Sequence, residues 1–331
     1  MNPLVCVYIG DEIGRYGFGD HHPFGPYRMR VFWDEAQRQG LQMLVRICDP
    51  VEADQAIIEL FHSTGYVEQV KRQSITGSGY LDDGDTPAFP GVYEAAAHVV
   101  GSVADAVGHL MAGRYRRAFV PIAGLHHARP NHAAGFCVFN DCGVAIKLLR
   151  QQFGIQRVAY IDIDAHHGDG VFYPFEDDAE LIFADIHEDG RYLYPGTGRA
   201  DEIGRGAAKG TKLNIPVVPG ADDDQFFENW PRIETFLRKH RPEFIILQCG
   251  TDSLMGDPIT HLAFSTAVHA HAASRLAHLA EDLGHGRLLA VGGGGYNAIN
   301  IAKGWCAVVR SLVETPMKAV GSWNARPGDL P

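Results

Sequence analysis

The chain has 331 residues, 46% of them hydrophobic and 21% charged, a globular composition with enough apolar residues for a sizeable core. Its 29 basic and 40 acidic side chains give a formal net charge of −11, and the absence of any Lys/Arg-rich run argues against a nucleic-acid-binding surface. The six cysteines are scattered with no CxxC pair, and no run of about 18 apolar residues occurs, which argues against a disulfide framework and against a membrane span.

The start, MNPLVCVYIGDE, has neither a basic nor a long apolar signal region, so a cytoplasmic location is expected. In chain order, strands are predicted at 4–9 (LVCVYI), 117–123 (RAFVPIA), 157–163 (RVAYIDI), 180–186 (ELIFADI), 212–218 (KLNIPVV), 243–249 (EFIILQC) and 287–292 (RLLAVG). Helices are predicted at 92–112, 141–153, 224–240, 265–283 and 298–313. The Gly/Asp/Pro-rich stretch 76–91 reads as a long loop, and the tail from about 316 to 331 as irregular. Nearly continuous hydrophobic strands alternating with helices predict one α/β domain over 1–331, built on a mostly parallel sheet covered on both faces.

Unusual chemistry follows four of these strands: GLHHARPNHAAGFC, DAHHGDG, GTDSLMGDP and GGGGYN. Ligands of α/β sheets bind beyond the carboxyl ends of the strands, so these four segments are expected to converge on one rim. Five ionisable groups in YIDIDAHHGDG (160–170) need compensation, because buried unpaired charge costs several kcal/mol or more. Asp162, Asp164 and His166 alternate and would project in register from an extended strand end. Carboxylate oxygens and an imidazole nitrogen suit a divalent ion such as zinc, with iron(II) open; Asp164 and His166 make a two-point chelate and Asp252 is the candidate third ligand. Three protein ligands leave a position for water, as catalytic sites do. His126 and His127 are candidates for proton transfer, with Asp162 and Asp169 as their orienting carboxylates. Tyr296, after four glycines, is placed to donate to a developing oxyanion. His167 is read as structural, His21 and His22 as loop residues or as supports behind the site, and His62, His98, His132 and the histidines of 269–274 as surface or packing residues. Cys137 is read as packing, since no carboxylate-oriented histidine is assigned to it.

Together with HHPFGPYR (21–28) and HEDGRYLYPGTG (187–198), these segments resemble the zinc-dependent histone deacetylase family over roughly residues 1–315, most nearly its bacterial class I-like and acetoin-utilisation-type members. The resemblance implies the arginase/deacetylase fold and zinc on Asp164, His166 and Asp252. It implies His127 backed by Asp169 as general base and acid, His126 backed by Asp162 as the electrostatic member, and Tyr296 as the group polarising the acyl carbonyl. It further implies an acyl-lysine tunnel walled by Phe136 and Tyr194 with Gly135 and Gly294 beside it, Asp85 at the mouth, and Arg28 near an internal channel. One or two monovalent cations, usually potassium, are implied: an inner one at Asp162, Asp164, His166, Asp185 and Ile186, and an outer one at Phe175, Asp178 and Leu181. Three departures stand out: Gly25 where relatives carry lysine, Asp185 where they carry serine, and Tyr194 where they carry phenylalanine. An added carboxylate at 185 is expected to strengthen cation binding or to alter the buried network.

The expected activity is removal of acetyl, or a related acyl group, from an amine, with acetyl-lysine of proteins ahead of small acetylated amines such as acetylpolyamines. A two-manganese ureohydrolase of the arginase type is a weaker alternative, because Asp252 and Asp257 have the wrong spacing for bridging aspartates. A non-catalytic acyl-lysine reader is weaker still, since every proposed catalytic group is present. Homo-oligomerisation is open.

Overall fold

The computed structural model describes residues 4–19 and 22–316; His21 and the tail expected to be irregular, apart from Pro316, lie outside the described residues. Eight strands form one sheet in the order β2-β1-β3-β8-β7-β4-β5-β6. They are β1 (Val5–Tyr8), β2 (Arg46–Cys48), β3 (Arg117–Val120), β4 (Val158–Asp162), β5 (Leu181–Glu188), β6 (Lys212–Val217), β7 (Phe244–Gln248) and β8 (Leu288–Val291). Every pairing is parallel. The strands β1, β3, β4, β5, β7 and β8 are buried along their whole length, which is why they read as unbroken apolar runs rather than alternating ones.

The helices are α1 (Asp11–Gly14), α2 (Tyr27–Arg38), α3 (Gln55–Ile58), α4 (Thr64–Thr76), α5 (Val92–Met111), α6 (Asp141–Phe153), α7 (Asp169–Phe172), α8 (Asp223–His240), α9 (Thr266–Asp282) and α10 (Ala298–Glu314). On the sheet, α10 packs against α9 and α2, while α5 packs against α4 and α6. The five predicted helices are present, and α6 keeps its predicted bounds. Side-chain caps explain several starts: Asn140 accepts from Gly143 N, Asp222 forms a capping box with Gln225, and Asn297 accepts from Ile299 N and Asn300 N. Among the described residues, no helix is long and apolar enough to cross a membrane.

The sequence reading missed β2, a three-residue edge strand, and the helices α2 and α4. In α2, Arg28, Met29, Phe32 and Ala36 form the buried stripe; an arginine inside that stripe masks its amphipathic pattern. Strand ends also shift. β3 stops at Val120 and β4 at Asp162, so Asp164 and His166 stand on the loop beyond β4 rather than on an extended strand. Strands β3, β8, β7, β4 and β5 are consecutive neighbours, and their carboxyl ends carry all four chemistry-bearing segments to one rim.

Candidate active site

Beyond β4, the chain turns through residues 163–168 by side chain–backbone bonds. Asp162 Oδ1 accepts Asp164 N at 3.0 Å, and Asp164 Oδ1 accepts His166 N at 3.0 Å. This folding of the loop, not strand alternation, brings Asp164 and His166 together. Asp252 enters from the short 3-10 turn after β7, and its Oδ1 accepts Ala165 N at 2.9 Å. His166 Nδ1 then lies 3.1 Å from Asp164 Oδ1 and 3.1 Å from Asp252 Oδ2. One ligand atom from each of the three falls within 4.8 Å of the others, and all three residues are buried.

Two ionised carboxylates side by side in the interior repel each other. Burial and then Asp164 push the Asp252 carboxyl up to about 7. A divalent cation held by these oxygens and the His166 nitrogen would remove that repulsion, and the donor set fits zinc or iron(II). The remaining Asp164 oxygen is held by Gln248 Nε2 and Gly294 N, each at 2.8 Å, so the carboxylate cannot swing away. Gly294 must lack a side chain, since a Cβ there would lie 2.1 Å from Asp252 Oδ2. Among the described residues this is the one group of three His, Cys, Asp or Glu side chains placed to hold a metal. Asp257, needed by a two-metal reading, instead accepts Tyr296 N at 2.9 Å and Ile259 N at 3.1 Å.

His126 and His127, on the segment after β3, each have a carboxylate behind them. His126 Nδ1 lies 2.8 Å from Asp162 Oδ2 and His127 Nδ1 lies 2.6 Å from Asp169 Oδ1. Their Nε2 atoms face each other at 3.1 Å. Asp162 is steadied by the Tyr160 hydroxyl at 2.6 Å, and Asp169 by Arg129 Nη2 at 2.7 Å. Burial opposes charge on both imidazoles. At His126 the nearby Asp162 and Asp164 outweigh it and raise the pKa to about 9; at His127 burial and the charge of His126 prevail over Asp169 and lower it to about 4.

The two histidines, Asp164, His166, Gly135, Gly294 and Tyr296 line a narrow slot with room for roughly one water. Phe136 and Tyr194 each touch a residue of that lining. The Tyr194 ring meets His127 edge-on at 5.1 Å, and Phe136 meets Tyr296 at 5.8 Å. Phe136 has φ 68°, a left-handed conformation costing a non-glycine residue about 1–2 kcal/mol. It is held there because the Tyr16 hydroxyl donates to Phe136 O at 2.7 Å while Phe136 N donates to Thr86 Oγ1 at 3.1 Å. The Tyr16 oxygen also accepts Val138 N at 2.9 Å. Gly135 is required, as a Cβ would sit 2.5 Å from the His127 ring. Asp85 is exposed on the neighbouring loop, next to Thr86, and its carbonyl lies 3.1 Å from His22 Nε2. The His22 ring packs on Phe136 at 4.5 Å, so of its two readings His22 supports the wall from behind.

Arg28 lies buried beneath the glycine run. Its Nε and Nη2 donate to Gly295 O and Gly293 O at 3.0 and 2.5 Å, and its guanidinium stacks 4.0 Å from the Phe24 ring centroid. It braces the loop that carries Tyr296. Asp185 and Ile186 are buried on β5. The Asp185 carboxylate is engaged on both oxygens, by His187 Nδ1 at 2.8 Å and Gly168 N at 2.9 Å. His167 packs among Phe172, Phe183 and His187 with Nδ1 at 2.8 Å from Thr197 Oγ1, consistent with a structural role. All six cysteines are free.

Sequence reasoning missed three residues of this site. Gln248 touches Asp164, Asp257 holds the Tyr296 backbone, and Tyr16 clamps Phe136. Gln248 and Asp257 sat within or beside quoted motifs, whereas no local signal marked Tyr16.

The Histone deacetylase domain family matches residues 22–312 of the chain. The acetoin utilization protein AcuC of Bacillus subtilis is 36% identical over 321 residues, covering 93% of this chain and 81% of that protein. Histone deacetylase clr6 of Schizosaccharomyces pombe is 32% identical over 311 residues, covering 91% of this chain and 75% of that one. Among solved structures, the HDA15 HD domain superposes with a TM-score of 0.85 at 26% identity, covering 96% of this chain and 91% of that chain.

Proposed function

This chain belongs to the histone deacetylase family, and on that premise we propose that it is a zinc-dependent amidohydrolase that removes acetyl groups from lysine side chains of proteins. The observation that carries the reading is the meeting, at one narrow slot, of the Asp164–His166–Asp252 trio with two carboxylate-backed histidines and Tyr296. Zinc bound by the trio would polarise the acyl carbonyl and lower the pKa of its water toward about 7.

The chain's own residues divide the remaining work. Asp169 takes the Nδ1 proton of His127 in a hydrogen bond, which leaves the Nε2 lone pair as the base for the attacking water. Asp162 accepts the Nδ1 proton of His126 and favours its doubly protonated form, whose positive charge stands beside the slot to stabilise a developing oxyanion. The proton gained by His127 then passes to the leaving amine. Tyr296 donates its phenolic proton in a hydrogen bond to the oxyanion, with Asp257 and Arg28 holding its loop in place. The slot admits little more than a water as it stands, so an acyl group would enter by displacing that water, and Phe136 and Tyr194 would flank the methylene stem.

Metal analysis and a fluorogenic acetyl-lysine peptide assay on one purified sample, with and without a hydroxamate chelator, test this. One zinc per chain with chelator-sensitive amine release is expected. Two metals per chain, or a zinc-loaded enzyme that releases acetate from acetylpolyamines but not from the peptide, would overturn the assignment of reaction or of substrate respectively.

A further inference from the structure

Lys212 opens β6 and is 2% exposed. An ammonium that deep must find strong partners or lose its proton. Its Nζ lies 2.8 Å from Asp178 O, 2.8 Å from Leu181 O and 2.9 Å from Thr211 Oγ1. The hydroxyl proton of Thr211 goes to Ala208 O at 2.8 Å, so Oγ1 is free to accept from lysine. Three acceptors match the three N–H bonds of an ammonium; a neutral amine would leave one of them without a donor. The Asp178 carboxylate is engaged by Arg150, so the lysine is satisfied chiefly by neutral oxygens, much as a monovalent metal ion would be.

The family resemblance implies an outer potassium ion at Phe175, Asp178 and Leu181, and Lys212 takes the carbonyls of two of these three. That expectation does not fit this chain. Asp178 O and Leu181 O already converge on a unit positive charge, and Phe175 O accepts Asp178 N at 3.1 Å. A second cation there would have to displace the ammonium or sit against it.

We propose that Lys212 is a tethered replacement for the outer monovalent cation, so that this chain holds the 173–181 segment in place without binding an ion there. The segment continues directly from α7, whose first residue, Asp169, orients His127. Lys212 is thus a positioning residue for the loop behind the general base, acting through backbone carbonyls and not on substrate. This inference concerns cation occupancy and stability and stands whether or not the proposed substrate is right.

Equilibrium dialysis with radioactive rubidium tests it on the full chain at pH 7, comparing wild type with Lys212→Ser at constant ionic strength set by choline chloride. The wild type is expected to bind at most one rubidium per chain, and Lys212→Ser one more than wild type. In parallel, the thermal midpoint of Lys212→Ser is expected to drop by several degrees in choline chloride and to recover in potassium chloride. Two or more rubidium ions per wild-type chain would overturn the proposal, even if the variant failed to fold. So would equal stoichiometry in the two proteins, or a variant midpoint indifferent to potassium.

Discussion

Replacing Gly294 by alanine tests the metal-site geometry with one methyl group. The added Cβ would lie 2.1 Å from Asp252 Oδ2, 2.8 Å from Asp164 Oδ2 and 2.9 Å from Asp252 Cγ, whereas ordinary contact begins at 3.4 Å. Gly294 has no left-handed backbone angle, so alanine brings no conformational strain of its own and the effect is steric. Relief requires the two carboxylates or the glycine loop to move by roughly 1 Å, and a displacement of that size at a reacting centre costs about 10²-fold in rate. The same movement breaks the Gly294 N to Asp164 Oδ2 bond, a supporting contact whose loss costs about 10–100-fold in metal affinity. Chelator-competition dialysis gives the affinity and kcat/KM on an acetyl-lysine peptide gives the rate, with Gly65→Ala as control, because a Cβ at Gly65 meets nothing within 4 Å. If Gly294→Ala bound zinc within threefold of wild type and kept its kcat/KM, the placement of both carboxylates against this glycine would be wrong.

Tyr296→Phe should lower kcat by about 10²–10³ with KM and metal content little changed, as expected for an oxyanion donor; an equal loss of metal would instead mark a structural role. Asp257→Ala removes the acceptor of Tyr296 N and should cost about 1–3 kcal/mol of stability. Its effect on kcat should largely vanish when it is combined with Tyr296→Phe; full additivity of the two would refute the positioning role. His62 is buried and accepts Asn140 N at 2.8 Å, and burial lowers its pKa to about 3. The folded state therefore favours neutral His62: its contribution is complete above the ordinary value of 6.5 and declines as pH falls toward 3, by about 1.4 kcal/mol per pH unit. Denaturant midpoints from pH 7 to 4 should fall less steeply for His62→Gln than for wild type, and identical slopes would sink this attribution.

Much of the site is legible in the chain because its residues cluster where strands end. YIDIDAHHGDG carries two members of the candidate metal trio together with Asp162 and Asp169, and the doubled histidine of GLHHARP follows the earlier apolar run 117–123 in the same way. An unbroken apolar strand can end in several ionisable groups only if something compensates them, so the local pattern implies both the parallel sheet and the rim chemistry. The resemblance then orders the roles. The inference about strand alternation reached the right pair by the wrong route, since Asp164 and His166 meet through a loop folded on its own carboxylates.

What the sequence by itself determined was the fold class, the five long helices, the four converging segments and the residue types at the slot, because each depends on periodicity or on neighbours a few positions apart. Tertiary structure alone decided which oxygens Lys212 meets, that Asp185 takes up the Gly168 amide, that Tyr16 holds Phe136 across 120 residues, and that Asp257 supports the Tyr296 amide. Those outcomes depend on backbone carbonyls and amides brought together from distant segments. A backbone group looks the same at every position of a sequence and becomes specific only when the fold places a side chain within hydrogen-bond reach of it.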